Sequence, residues 1–396
     1  MATRRCPAQN VCIVLPSEEH YSEAGGAVAT VTRNVVRVWR SQGVHVTVVA
    51  PAETDQPYAE GTTVFLPQVR RSRNGDRVWL GRAVTNRLRT IERLIAPWGG
   101  VAHRPHRRAV VRALRLLSHP PDVIVLNNDP VLVDVARRVF PTANVVLWLH
   151  NEVGDRYLAP RRFFTRAAAV VAVSQYIATW TERHYHLKAG SVGTILNGVD
   201  LDRFHPRLSS RAEPQPIRVV CHGRIDSGKG YDLAVEAVAR LRAAGHDIAL
   251  TIAGGAQVWG RSASEVQSYK DLVLQRLAST GGDYLGRLRP DEVPAMLREH
   301  DIVCVPSRAP EGCSLSMLEG MASGLAVVAS DCGGISEVIT GAGTLIPPDD
   351  LTALTEALEE LVSNRALLEK QKQLARTRSE ALPWAITADR VLGAAT

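Results

Sequence analysis

Short apolar runs recur along this chain, and stretches of helical period separate them. Val11–Leu15, Val44–Ala50, Asp122–Leu126, Asn144–Leu149 and Ala168–Val173 occupy the first half. Ile217–His222, Ile248–Ala253, Tyr284-Leu285, Asp301–Val305 and Leu325–Ser330 occupy the second. A strand that is apolar on both faces needs helices on both sides, which hairpins do not supply. The alternation therefore predicts parallel sheets in an α/β fold, and 396 residues suffice for two such domains. Between the halves, Thr194–Pro206 carries the turn signal Asn197-Gly198 and gives way to an Arg-, Pro- and Glu-bearing stretch up to Pro216. This places a first domain at 1–187, a linker at 188–215, a second domain at 216–382 and a last helix in 383–396.

The richest stretch for chemistry is Pro306–Glu319, PSRAPEGCSLSMLE, which joins a buried strand to a helix expected to run to Gly324. Gly312 lets the backbone approach a ligand closely. Residues 313–316 then present free N–H groups at the helix start, where the dipole favours an anion such as a diphosphate, and Gly312, Cys313, Ser314 and Leu315 are the residues expected against it. Glu311 and Glu319 bracket this turn with seven residues between them. Glu319, two turns in, is placed to accept from neutral hydroxyls beside that anion. A molecule with a diphosphate, vicinal hydroxyls and a second polyol is a nucleotide sugar. The plainer reading of the same residues is a capped surface helix with two solvated glutamates.

Two other glycine-rich turns follow strands. Gly25-Gly26 opens a helical pattern after Val11–Leu15, and neighbouring His20, Tyr21 and Glu23 could face an acceptor. Gly223, Gly228 and Gly230 flank Arg224 and Lys229, two cations suited to a diphosphate. Neither is a G-x-G-x-x-G dinucleotide fingerprint nor a Walker A loop. His150 stands at the carboxyl end of a strand in LWLHNEVGD, where ligand residues collect.

Taken together, these stretches resemble the retaining glycosyltransferases of the GT4 family, whose E-x7-E motif matches Glu311 and Glu319. The resemblance covers nearly the whole chain. It implies the GT-B fold, with two Rossmann-like domains facing across a cleft and a C-terminal helix returning to the first. It implies an acceptor side in the first domain and a nucleotide-sugar side in the second. Residue by residue, Glu311 would hold the donor sugar's 3- or 4-hydroxyl, and Glu319 the ribose. Arg224 and Lys229 would neutralise the leaving diphosphate. Gly25 and Gly26 would lie against the donor's phosphate and sugar, and His150 would contact the sugar's 6-position. Arg287 and Leu288 would border the nucleobase, and Tyr21 and Glu23 the acceptor. Many relatives carry an aromatic and a second glycine where Cys313 and Ser314 stand, which leaves the donor sugar open. No D-x-D metal signature stands at a strand end, so no metal or other cofactor is expected.

The acceptor is less constrained. The net charge is +7, with 42 arginines against five lysines. That ratio suits a GC-rich, actinobacterial genome. Residues 70–115 concentrate arginines around Trp79 and Trp98, with helical patterns near 79–96 and 104–118. Such a stretch could dock on an anionic membrane or receive a phosphorylated acceptor. No base-reading motif accompanies it, so nucleic acid is not expected as a partner. The six scattered cysteines, Cys6, Cys12, Cys221, Cys304, Cys313 and Cys332, suit a reducing cytosol. The basic N-terminus precedes an apolar run too short for a signal peptide, and no run approaches the ~18–20 residues that cross a bilayer. The expectation is a cytoplasmic transferase using a UDP-linked hexose or N-acetylhexosamine and a small-molecule acceptor. A lipid or cell-envelope acceptor is the alternative. A 2-epimerase or a non-enzymatic anionic-surface-binding protein is a more distant one.

Overall fold

The structure is a computed structural model that describes residues 10–16, 19–22, 25–51, 62–66, 104–154, 161–208, 216–256 and 262–395. The chain divides into two compact units, Met1–Ile195 with Ala385–Thr396, and Leu196–Trp384.

The first unit holds β1 (Asn10–Val14), β2 (His45–Pro51), β3 (Thr62–Leu66), β4 (Val123–Asn127), β5 (Asn144–Leu149), β6 (Ala169–Ala172) and β7 (Gly193–Thr194). They form one sheet in the order β3-β2-β1-β4-β5-β6-β7, parallel throughout. Two of these strands have no clear sequence signal. Thr62 and Phe65 of β3 are exposed, and β7 is only two residues long. The final helix, Trp384–Gly393, is fixed in this unit from Ala385 onward. Trp39 Nε1 donates to the Ala388 carbonyl at 3.0 Å, and Gln42 Nε2 to Asp389 Oδ1 at 2.8 Å.

The second unit holds β8 (Ile217–His222), β9 (Ile248–Ala253), β10 (Asp283–Gly286), β11 (Ile302–Val305), β12 (Ala326–Ser330) and β13 (Thr344–Ile346). Its parallel sheet runs β10-β9-β8-β11-β12-β13. Alternate residues of each central strand enter opposite cores. Val219, Cys221, Cys304 and Val328 join Leu354 and Leu358 on one face. Val220, Val303, Val305 and Val327 join Met317, Leu318 and Met321 on the other. Burying each such Leu or Met side chain contributes roughly 1.5–3 kcal/mol. The helix Leu315–Ala322 lies so close to β11 that a Cβ on Gly320 would stand 2.5 Å from Val303 Cγ1.

In both sheets the strand order reverses between the first and fourth strands, β1/β4 and β8/β11. Loops leaving such a pair diverge to opposite faces and open a crevice at the carboxyl ends. Gly25-Gly26 and Asn127 flank the first crevice in sequence. Arg224–Gly230 and Pro306–Gly312 flank the second.

Residues 70–103 of the arginine-rich stretch lie outside the described residues. Arg104–Arg115 is a helix that buries Val110 and Leu114 and exposes Arg108, Arg112 and Arg115. Among the described residues Cys12, Cys221, Cys304 and Cys332 are buried and Cys313 is half-buried, and none of them is in a disulfide. Among the described residues no helix is long and apolar enough to cross a membrane.

Candidate active site

In the second unit, backbone chemistry sews two loops together. The Asp226 side chain accepts from Gly228 N at 2.9 Å and opens a single 3-10 turn, Ser227–Lys229. Gly230 follows at φ +66°, and a Cβ there would lie 2.0 Å from the Pro306 carbonyl oxygen, so only glycine fits. The Gly228 carbonyl accepts from Arg308 N at 2.8 Å and Ala309 N at 3.0 Å. This fastening brings Lys229 Nζ to 2.5 Å from Glu311 Oε1, and Ser307 Oγ donates to the same oxygen at 2.6 Å. A third loop holds the Glu311 backbone. Gly334 N donates to its carbonyl at 2.7 Å, and Gly333 packs so tightly that a Cβ would meet that oxygen at 2.3 Å. Burial alone would raise the Glu311 pKa. The Lys229 ammonium, the Ser307 hydroxyl and the nearby Arg224 outweigh it and hold the carboxyl below its ordinary value. Glu311 is thus a fixed carboxylate.

The helix Leu315–Ala322 begins one loop further on. Ser314 occupies its N-cap, yet its side chain makes no capping bond and instead pairs with Ser316 Oγ at 3.1 Å. Gly312 and Cys313 are half-buried beside it. Burial pushes the Cys313 thiol up to about 12, which removes it as a nucleophile near neutral pH. Its carbonyl accepts from Asn197 Nδ2 at 3.4 Å. Glu319 lies on the inner side of the helix. Burial raises its pKa to about 7, with Arg203 opposing.

Next to these loops is a cavity of about 180 Å³ lined by His222, Gly223, Arg224, Gly254, Arg287 and Leu288, among others. The two residues expected near a nucleobase, Arg287 and Leu288, share this wall with Arg224. The two cations expected to meet a diphosphate each have a carboxylate partner. Arg224 Nε stands 2.5 Å from Asp226 Oδ2, and Lys229 is paired with Glu311. Sequence reasoning missed Asp226, Ser307 and His222. Asp226 could have been found from Asp-Ser-Gly, an acidic N-cap two residues before a glycine. His222 acts through a contact 94 residues away in sequence and left no local signal, whereas Ser307 stands four residues before Glu311, a spacing that a turn between strand and helix does not single out.

In the first unit, His150 is buried. Its backbone N donates to Asn128 Oδ1 at 2.7 Å, and its Nε2 lies 2.8 Å from Asn127 Oδ1. Burial lowers its pKa to about 3, so the ring is neutral. The Gly25-Gly26 turn has an internal anion. Glu19 Oε2 accepts from Gly26 N at 2.9 Å and from Ala29 N at 3.3 Å. Of the two glycines expected to lie against a phosphate, Gly26 gives its amide to this carboxylate, and Gly25 N donates to the Ser22 carbonyl at 2.9 Å. Tyr21 is 1% exposed and packs in the interior, so it does not present the surface expected for acceptor contact. Glu23 lies outside the described residues.

Comparison with known proteins matches both units. Residues 206–378 fit the profile of Glycosyl transferases group 1, and residues 24–203 that of Glycosyltransferase Family 4. The lipopolysaccharide 1,2-N-acetylglucosaminetransferase of Salmonella typhimurium is 25% identical over 305 residues, 74% of this chain and 76% of that one. The lipopolysaccharide core biosynthesis mannosyltransferase LpcC of Rhizobium leguminosarum is 30% identical over 253 residues, 61% of this chain and 67% of that one. Among solved structures, Anabaena HepE in complex with UDP and glucose superposes with a TM-score of 0.68 at 16% identity, covering 97% of each chain. Two parallel α/β sheets, the paired glutamates and two adjoining profiles agree: the chain belongs to the GT4 family of glycosyltransferases and has the GT-B fold.

Proposed function

We propose that this enzyme transfers a sugar from a nucleoside-diphosphate sugar to an acceptor hydroxyl with retention of anomeric configuration. One observation carries the reading. A fixed carboxylate, Glu311, and a fixed ammonium, Lys229, stand 2.5 Å apart beside the N-terminus of the helix Leu315–Ala322. Both side-chain bonds to Glu311 fall on Oε1, which leaves Oε2 to accept from a sugar hydroxyl. The diphosphate lies against Lys229, Arg224 and the amides at the helix start. Their positive ends stabilise the charge that grows as the bond to the anomeric carbon breaks. The acceptor hydroxyl attacks from the face the diphosphate leaves, and a leaving phosphate oxygen takes its proton. Lys229 and Arg224 do the work of a divalent cation, so the reaction proceeds without one.

The complex of HepE with UDP and glucose supports UDP as the first nucleotide to try. The relatives' names differ in sugar, N-acetylglucosamine against mannose, so the sugar is a matter for assay. Both names place the acceptor on lipopolysaccharide, which favours an envelope glycan over the small molecule expected from the sequence. The test is a calorimetric screen of nucleotide sugars, then product analysis by NMR with EDTA present. An α-linked product from an α-configured donor, formed at an undiminished rate, is expected. Inversion would overturn the retaining reading, and loss of activity restored by Mg2+ or Mn2+ the metal-free one.

A further inference from the structure

His222 ends β8 and lines the cavity beside Arg224 and Arg287. Its Nε2 lies 3.0 Å from the carbonyl oxygen of Ser316, in the first turn of the helix Leu315–Ala322. A carbonyl can only accept, so Nε2 carries the proton and Nδ1 keeps its lone pair. That Nδ1 faces Glu319 Oε2 at 3.9 Å. The separation is too long for a direct hydrogen bond, yet short enough for a ligand hydroxyl to reach either atom. Both groups are desolvated, the imidazole being 7% and the carboxylate 22% exposed. With Glu319 ionised, neither gains from facing the other, because a neutral imidazole nitrogen and a carboxylate oxygen are both acceptors. His222 at the cavity wall and Glu319 beside it are two neighbouring acceptors, which suit a ligand with two neighbouring donors.

We propose that His222 is the second acceptor of a vicinal-diol site, taking one ribose hydroxyl of the bound nucleotide while Glu319 takes the other. This rests on the nucleoside-diphosphate reading of the same unit. His222 thereby reads ribose against deoxyribose. Its Ser316 bond fixes both the tautomer and the ring's aim. A site built to accept from a hydroxyl rejects the analogue lacking it, because its buried acceptor is then left unpaired.

The test uses the full chain and calorimetry with UDP, GDP and their 2′-deoxy and 3′-deoxy counterparts. The wild type is expected to bind each deoxy form about tenfold or more weakly than the ribonucleotide. His222→Leu should erase the gap at one ribose position and keep it at the other, where Glu319 acts. His222→Asn puts Oδ1 near the place of Nδ1 and should keep most of the gap. A wild type indifferent to the deoxy forms overturns the proposal, as does a Leu variant that discriminates like wild type. So does an Asn variant that behaves like the Leu variant, since that reports packing alone. If neither UDP nor GDP binds the wild type, the nucleoside-diphosphate reading falls as well.

Discussion

The two units start their site helices in opposite ways. In the first, the amides at the start of the helix Ala27–Ser41 donate to the buried carboxylate of Glu19. In the second, Ser314 stands at the N-cap of the helix Leu315–Ala322 without capping it. Both helices follow a parallel strand beside the reversal of strand order, so the architecture is shared. What differs is who supplies the negative charge. The first unit carries its own anion and gains stability. In the second no side chain caps the helix start, and Lys229 and Arg224, each held by a carboxylate, stand in the neighbouring loops; under the proposed function its amides take the phosphate of a ligand. A repeated fold need not repeat a function, because one side chain can fill a helix start that would otherwise be open to an anion.

The strongest test of the second unit is Glu311→Ala. Loss of this carboxylate removes the proposed sugar contact and leaves Lys229 unpaired at 20% exposure. kcat/KM is expected to fall about 100- to 1000-fold, the scale of one preorganised polar contact. A fall of less than threefold would remove Glu311 from the site.

Much of this was legible in the sequence. The parallel strands could be read from apolar runs, and Glu311, Lys229 and Arg224 from turns that follow strands. The pairings were not. Lys229 reaches Glu311 only because Gly230 lets the Pro306 carbonyl pass, and no periodicity encodes that approach. Glu19 was invisible for the same reason. It caps a helix from seven residues before Gly26, beyond the span of a capping box. Tyr21 misled because a loop tyrosine near a glycine turn reads as a surface residue, whereas here it fills the core.

Titration gives the next largest effect. The Glu319 carboxyl moves from 4.5 in the ordinary range to about 7 in the fold. The folded protein therefore keeps a proton that the unfolded chain has lost, and stability from this group is full below pH 4.5 and falls as pH rises through 7. His222, lowered from 6.5 to about 4 by burial, contributes the opposite slope over a largely overlapping range. Comparing variants isolates the first term. Glu319→Gln should gain on wild type as pH rises from 4.5 to 8, by up to about 3 kcal/mol in urea titrations. A difference that does not change with pH would place the carboxylate in water.

The comparison itself can be inverted. Ser314→Asp gives the second unit the internal anion of the first. The new carboxylate should cap the helix and add about 0.5–1 kcal/mol of stability. It should also repel a diphosphate and weaken UDP binding about tenfold or more. Raised stability with unchanged binding would show that the ligand does not use these amides.

The reverse change is the smallest in effect and the most direct check on the contrast. Glu19→Gln keeps the shape of the side chain and removes its charge. Glutamine can still accept from Gly26 N, so the hydrogen bond survives in part. What is lost is the attraction between a buried carboxylate, 3% exposed, and the positive end of a fifteen-residue helix. A loss of about 1 kcal/mol in unfolding free energy is expected, with UDP affinity unchanged within twofold. The two readouts separate the explanations. If Glu19 only balances its own helix, stability moves and binding does not. If nucleotide affinity instead rises in the variant, the first unit's helix start competes for the phosphate, and the division of labour between the two helices is wrong.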